Sequence, residues 1–294
     1  MSLTNEQIQE LESRAKDIRI SIIEMLAEAK SGHPGGPLGM ADIFTALYFN
    51  ILKHDPKQPD WSLRDRLVLS NGHICPVLYS AMAHAGYLPV SELLTLRKFG
   101  SKLQGHPHRE FFSALETSSG PLGSGLSQAV GMAIADKMDH GKVTPRFIYC
   151  MLGDGELNEG QNWEAMMLAS KEKLGNLIAI VDRNQIQIDG FTEDIMPLSP
   201  LYDKWKSFGW HVQEIDGHNM QAIIDAVHEA QAIFEKPSVI LAHTIPGKGV
   251  SYMEHRFEWH GNPPGIMEVT GAPEKAKQVE VALNDLKNGF SRTN

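Results

Sequence analysis

Four histidines of this chain lie in settings that suit them for chemistry. Each is next to a glycine and has a proline within three residues, in the stretches SGHPGGP, NGHICP, GHPH and WHGNPP. A histidine ring can exchange a proton near neutral pH and can hydrogen-bond a hydroxyl group. A loop-stabilising hydrogen bond is the alternative role. The four candidates are His33, His73, His106 and His260.

A second set of candidate residues carries oxygen ligands. Asp154, in the triplet GDG, follows a predicted strand, and Asn184 follows the next one. Carboxyl ends of neighbouring parallel strands meet at one edge of a sheet, where open α/β proteins bind ligands. A carboxylate, an amide oxygen and a nearby backbone carbonyl suit Mg²⁺ or Ca²⁺ with phosphate oxygens. Alone, GDG is equally well explained as a turn with an N-capping aspartate.

Other phosphate motifs are incomplete or absent. The third glycine of a dinucleotide fingerprint would fall at position 158, which is asparagine, and no GxxxxGK[ST] occurs. His106 and His108 form an HxH pair that hints at a metal site, but no further ligands lie nearby in the sequence. No cysteine is near Asp154, which disfavours zinc.

Composition limits the classes of partner. The chain has 294 residues and a net charge of −9, which disfavours nucleic acid as a partner. No apolar run reaches the roughly 18–20 residues that cross a bilayer, and the polar N-terminus is not typical of a signal peptide. The two distant cysteines, Cys75 and Cys150, predict free, buried thiols in a cytoplasmic protein.

The elements that must position these residues alternate along the chain. Apolar β-branched runs separated by helical patterns predict a parallel sheet with helices on both faces. We expect a single α/β domain over residues 1–294, with an N-terminal helix at about 5–29 and a C-terminal helical tail at about 265–294. A second helix is predicted from Ala41, after a loop at 31–37. Residues 100–125 read as a long functional loop.

Long motifs in this chain resemble the N-terminal domain of transketolases. They include SGHPGGPLGMAD, LSNGHICPVLYS, SSGPLGSGLSQAVGMA, GDGELNEGQNWEAM and LGNLIAIVDRNQIQIDG. The resemblance runs in order from about residue 15 to 265. It implies the thiamine diphosphate-binding fold and an enzyme that moves a two-carbon ketol unit from a ketose to an aldose. It also implies carbohydrate metabolism of the pentose phosphate kind.

The resemblance assigns roles to individual positions. It implies that Mg²⁺, or Ca²⁺ or Mn²⁺, is held by Asp154, Asn184 and the backbone carbonyl of Ile186. The four histidines are implied to line the substrate channel, with pKa values near the working pH. The cofactor-binding positions are implied to be His73, Gly120, Pro121, Leu122, Gly155, Glu159, Asn184, Ile188, His243 and His260.

Three of these positions have plain alternatives. His255 is a rival to His260 in the loosely matching stretch EHRFEWHGNPP. His243 stands where some family members have a lysine, and a structural role at a strand end is its alternative. Glu159 matches a glutamate at the family's subunit interface, but an exposed glutamate in the first turn of a helix is equally plausible.

The resemblance also implies a partner. Single-chain transketolases continue into a pyrimidine-binding domain and a C-terminal domain, which nothing after residue 265 could supply. We therefore expect a split enzyme, in which this chain works with a C-terminal subunit in a heterotetramer on a sugar or sugar phosphate. The alternatives are a deoxyxylulose-phosphate synthase-like enzyme, a non-catalytic cofactor-binding subunit, and a metal-dependent hydrolase that uses the histidines and aspartates.

Overall fold

A parallel sheet organises the molecule. The computed structural model describes residues 3–141 and 145–290. Within them, five strands pair in the order β1-β2-β3-β7-β6, and every pairing is parallel. A two-stranded antiparallel hairpin, β4-β5, lies outside that sheet. The strands are β1 Arg66–Leu69, β2 Ile148–Gly153, β3 Leu177–Arg183, β4 Ile186–Gln187, β5 Gly190–Phe191, β6 His211–Asp216 and β7 Ser238–His243.

Helices cover both faces of this sheet. They are α1 Asn5–Ala29, α2 Gly35–Ala46, α3 Cys75–His84, α4 Ser124–His140, α5 Gly160–Lys171, α6 Thr192–Ile195, α7 Leu201–Ser207, α8 Met220–Gln231 and α9 Gln278–Asn288. One buried cluster joins one face to α1, α2, α3, α8 and α9. A second joins the other face to α4, α5 and α7. The predicted fold class is confirmed, because alternating strand residues are buried on opposite sides.

The N-terminal helix has the bounds that its periodicity predicts. Thr4 caps it, and the Thr4 and Gln7 side chains satisfy each other's backbone N–H groups. The predicted C-terminal tail contains α9, preceded by a 3₁₀ turn at Lys275–Lys277. Residues 1–2, 142–144 and 291–294 lie outside the described residues.

Helix α2 begins earlier than the sequence pattern predicts. It starts at Gly35, inside SGHPGGP, rather than at Ala41. Its first turn is closed by the Leu38 N–H, which donates to the Pro34 carbonyl at 3.0 Å. Pro37 is tolerated because the first N–H groups of a helix have no partner within the helix. His33 therefore lies immediately before a helix rather than within a long loop.

The sequence pattern does not predict the short elements that directly follow β3. Two-residue strands carry too little periodicity to be detected in a sequence, and so the β4-β5 hairpin and the four-residue α6 were missed. A 3₁₀ helix lies at Val90–Thr95. Among the described residues, no helix is both long and apolar enough to cross a membrane.

Candidate active site at the carboxyl edge of the sheet

Three of the four candidate histidines converge. The ring centroids of His33 and His73 are 5.0 Å apart, those of His33 and His260 5.5 Å, and those of His73 and His260 5.2 Å. His33 precedes α2, His73 follows β1, and His260 follows a 3₁₀ turn beyond β7. We call these three residues the histidine cluster. Residues far apart in the sequence thus meet where the strands end.

Glycines allow the close approach that builds the histidine cluster. A Cβ atom at Gly35 would lie 3.2 Å from the Trp259 carbonyl oxygen and 3.3 Å from the His260 Cα. A Cβ atom at Gly261 would lie 3.4 Å from the His33 ring. The two glycines let the start of α2 lie directly against the 257–261 segment.

His106 is a fourth, more exposed ring beside the cluster. Its Cδ2 would lie 3.3 Å from a Cβ atom added at Gly72, the residue before His73. It is close enough that its charge would help to lower the pKa values of His33 and His73. Its neighbour His108 packs its ring against Phe111, with centroids 4.9 Å apart.

The histidine cluster is neutral at pH 7. Burial is the main cause that lowers the pKa of His33 to about 3 and that of His260 to about 4. Burial also holds the pKa of His73 well below its usual value, and nearby His260 lowers it further. These directions differ from the expectation that the rings titrate near the working pH. The sequence does not show how far the rings are buried or how close they are to one another.

Two ring nitrogens of the cluster are unpaired. The Nδ1 atoms of His33 and His260 are buried and have no hydrogen-bond partner among the described residues. Buried polar atoms are normally paired, so unpaired ones beside these rings are candidates for contacts with a bound molecule. The Ser119 hydroxyl and the Gln187 amide nitrogen are also buried and have no hydrogen-bond partner among the described residues. These atoms are available to hydroxyl groups of a bound molecule.

The candidate oxygen ligands lie on neighbouring strands. Gly153 of β2 pairs with Asp182 of β3, which places Asp154 beside the residues that follow β3. Asp154 Oδ2 accepts from the Gln185 N–H at 2.7 Å, and Asn184 Oδ1 accepts from the Ile186 N–H at 3.0 Å. The structure therefore brings Asp154, Asn184 and Ile186 to one place.

Asp154 is almost fully buried. Burial raises the pKa of its carboxyl group to about 6, although the Arg183 guanidinium and two backbone N–H groups favour the ionised form. Its Oδ1 accepts from the Gly155 N–H at 2.7 Å. A carboxylate oxygen has room for a further partner beyond one hydrogen bond. This donor set fits a hard divalent cation.

The oxygen ligands adjoin the histidine cluster. A Cβ atom at Gly35 would lie 3.6 Å from the Ile186 side chain as well as beside His260. Among the described residues, no three His, Cys, Asp or Glu side chains form a group that could hold a metal ion. The mixed set of one carboxylate, one amide and one carbonyl is the candidate metal site, and the Ile186 side chain lies beside the same glycine, Gly35, as His260 does.

A glutamate that the sequence pattern does not single out supports the cleft. Glu156 is 3% exposed. It accepts hydrogen bonds from the Gly123 N–H at 2.6 Å, from the Gly153 N–H at 3.0 Å and from the Ser70 hydroxyl. It thereby joins the loop at Gly120, Pro121 and Leu122 to the end of β2. In the sequence, Glu156 is simply a glutamate directly after GDG. Nothing in the sequence distinguishes it from an exposed glutamate in a helical turn.

Three predicted cofactor-binding positions are exposed and lie outside the histidine cluster. The half-exposed His243 places Nε2 3.4 Å from Glu214 rather than in the histidine cluster. Glu159 is exposed at the N-terminus of α5, and Ile188, at the turn of the β4-β5 hairpin, is 70% exposed. His255 is exposed and outside the histidine cluster, whereas His260 belongs to it.

Comparisons with known proteins identify the family. The family model described as "Transketolase, thiamine diphosphate binding domain" matches residues 11–278. The chain is 47% identical over 277 residues to the 6-deoxy-6-sulfo-D-fructose transketolase subunit of Clostridium sp. strain MSTE9, covering 94% of this chain and 98% of that protein. It is 39% identical to an apulose-4-phosphate transketolase subunit of Phocaeicola vulgatus, covering 96% of this chain and 99% of that protein.

A solved structure supports the same assignment. The structure of transketolase from Campylobacter jejuni superposes with a TM-score of 0.82 and 34% identity, over 96% of this chain and 47% of that chain. The match thus extends over nearly all of the curated subunits but over less than half of the longer enzyme. The chain belongs to the transketolase family, as an N-terminal, thiamine diphosphate-binding subunit of a two-component enzyme.

Proposed function

We propose that this chain supplies the metal- and diphosphate-binding half of a transketolase active site, together with the histidines that contact the sugar. The observation that carries the proposal is that Gly35 lies against both His260 of the histidine cluster and the side chain of Ile186, which adjoins Asn184 and Asp154. A metal-dependent hydrolase is a weaker alternative, because no group of three His, Cys, Asp or Glu ligands occurs among the described residues.

The metal would be Mg²⁺, or Ca²⁺ or Mn²⁺, held by Asp154, Asn184 and the Ile186 carbonyl. Gly155 would lie against the diphosphate; a Cβ atom there would lie 3.4 Å from the Gln187 side chain. The other cofactor contacts proposed are His73, Gly120, Pro121, Leu122, Glu159, Ile188, His243 and His260. When bound, thiamine diphosphate supplies the nucleophilic carbon and the electron sink of ketol transfer.

The histidines handle the substrate's hydroxyl groups. A neutral imidazole can accept a proton from a hydroxyl at one nitrogen and donate a hydrogen bond from the other. His33 and His260 each hold one buried, unpaired nitrogen for this role. The ring that accepts a hydroxyl proton as the donor ketose is cleaved returns one to the oxygen of the acceptor aldose. The lowered pKa values keep each ring in the neutral form, which has a nitrogen free to accept.

We propose that the partner is a separately encoded C-terminal subunit, in a heterotetramer. The support is that this chain covers 98% of a transketolase subunit but only 47% of the Campylobacter jejuni enzyme. The partner would supply the site of the aminopyrimidine ring. We further propose a cytoplasmic role in carbohydrate metabolism of the pentose phosphate kind, in keeping with two free, buried cysteines.

We propose that the substrate is a ketose with an anionic group. The relatives named above act, by their names, on a sulfonated fructose and on apulose 4-phosphate. The test is to co-purify the chain with the product of the neighbouring reading frame and to assay ketol transfer from phosphorylated, sulfonated and uncharged ketoses to one aldose acceptor. We expect an anionic ketose to be used best. Equal or faster turnover of uncharged ketoses would contradict this assignment.

A further inference from the structure

Arg183 lies between the candidate metal ligand and helix α6. Its Nη1 donates to Asp154 Oδ2 at 3.1 Å and to the Thr192 hydroxyl at 3.0 Å. Its Nη2 donates to Glu193 Oε1 at 2.7 Å. The Arg183 side chain is 8% exposed, whereas that of Glu193 is 36% exposed. A buried guanidinium is thus held against the carboxylate by two residues of α6.

This contact leaves the two oxygens of Asp154 unequal. Oδ2 accepts from both Arg183 and the Gln185 N–H, which fills its hydrogen-bonding capacity. Oδ1 accepts from the Gly155 N–H. Arg183 therefore fixes the carboxylate so that Oδ1 is the oxygen with room for a cation.

Arg183 also changes the charge of the site. Of the three proposed ligands, only Asp154 carries a charge, since Asn184 and the Ile186 carbonyl are neutral. The adjacent guanidinium offsets that single negative charge at short range, in a buried setting where screening by water is weak. Asp182, the other carboxyl nearby, is engaged by Asn184 Nδ2 and by the Thr244 hydroxyl. A free divalent cation would thus meet only one net negative charge, shared among Asp154, Arg183 and the more exposed Glu193.

We propose that Arg183 makes this site select a metal–diphosphate complex over a free divalent cation. A free cation is repelled by the guanidinium, whereas the negative charge of a diphosphate offsets both positive charges. Arg183 acts here as a positioning residue through Asp154. The inference rests on the proposed metal site. It adds that the metal ion and the diphosphate bind to the chain together, as one complex.

The test measures Mn²⁺ binding to the full chain by electron paramagnetic resonance, alone and with pyrophosphate or thiamine diphosphate. We expect wild type to bind Mn²⁺ tightly only with the diphosphate. Arg183→Met should bind Mn²⁺ alone at least about tenfold more tightly, because a neighbouring positive charge is gone. Glu193→Gln, which removes a negative charge from the same network, should bind it more weakly than wild type.

Controls separate the possible failures. Arg183→Lys keeps the charge and should resemble wild type, and thermal unfolding reports whether each variant folds. An unchanged affinity of Arg183→Met for Mn²⁺ alone would overturn the inference. If wild type binds Mn²⁺ with thiamine diphosphate no better than Asp154→Asn does, the proposed metal site itself is wrong.

Discussion

At the scale of single residues, the unusual feature is a set of neutral histidines. Their neighbouring glycines and prolines made His33, His73, His106 and His260 recognisable from the sequence. Their protonation was not predictable, because it depends on burial and on ring-to-ring distances of 5.0 to 5.5 Å between residues far apart in the chain. The same holds for Arg183, whose charge matters only because it lies 3.1 Å from Asp154.

The histidine cluster should make the chain sensitive to acid. The folded pKa of His260, about 4, lies below the value of roughly 6.5 expected for an unfolded chain. As the pH falls through this window, the unfolded chain binds protons that the folded chain does not, and stability falls. His260→Gln should therefore lose less of its melting temperature than wild type between pH 6.5 and pH 4.

The half-exposed His243 provides the matched control for this measurement. His243→Gln removes a half-exposed ring beside Glu214 and leaves the histidine cluster intact, so it shows how much of the effect comes from losing any histidine. Equal losses for His260→Gln and wild type would show that His260 is not held neutral by burial.

At the scale of elements, the long helices and the buried strands were predictable, and the connections that build the cleft were not. The 25 residues of α1 carry clear helical periodicity, and the parallel strands read as short apolar runs. The start of α2 at Gly35 and the β4-β5 hairpin depend on contacts with segments distant in the sequence. The role of Glu156, which joins the loop around Gly120 to the end of β2, also depends on such distant contacts.

Gly35 should tolerate alanine poorly. A Cβ atom there would press on the Trp259 carbonyl and on His260, and we expect Gly35→Ala to lower the free energy of unfolding by about 1 kcal/mol. Gly131 in α4 has open space where its Cβ atom would lie, so Gly131→Ala should raise it by roughly 0.5–1 kcal/mol. Urea unfolding of both variants measures the difference, and the same sign for both would refute the packing argument.

Glu156 should be a structural support of the cleft. Glu156→Ala leaves the Gly123 and Gly153 N–H groups without a partner, and we expect it to cost about 3 kcal/mol of unfolding free energy. Glu164→Ala, on the exposed face of α5, should change stability by less than about 0.5 kcal/mol. Thermal and urea unfolding would compare them, and a near-neutral Glu156→Ala would mean that the loop is held by other contacts.

At the scale of the whole molecule, the order of the strands explains why the sites meet. Parallel strands end at one edge, so residues after β1, β2 and β3 reach the same cleft although they are far apart in sequence. The alternating pattern of strands and helices predicts this shared edge. It does not predict that the 257–261 segment packs against α2, because that contact depends on the path of the chain after β7.

The central claim is that this chain holds half of an active site. The most direct measurement is ketol transfer with thiamine diphosphate and Mg²⁺, by the chain alone and after titration with its C-terminal partner subunit. We predict no turnover by the chain alone, and a rate that rises on titration and levels off at one partner per chain. Full ketol transfer by the purified chain alone would contradict the account.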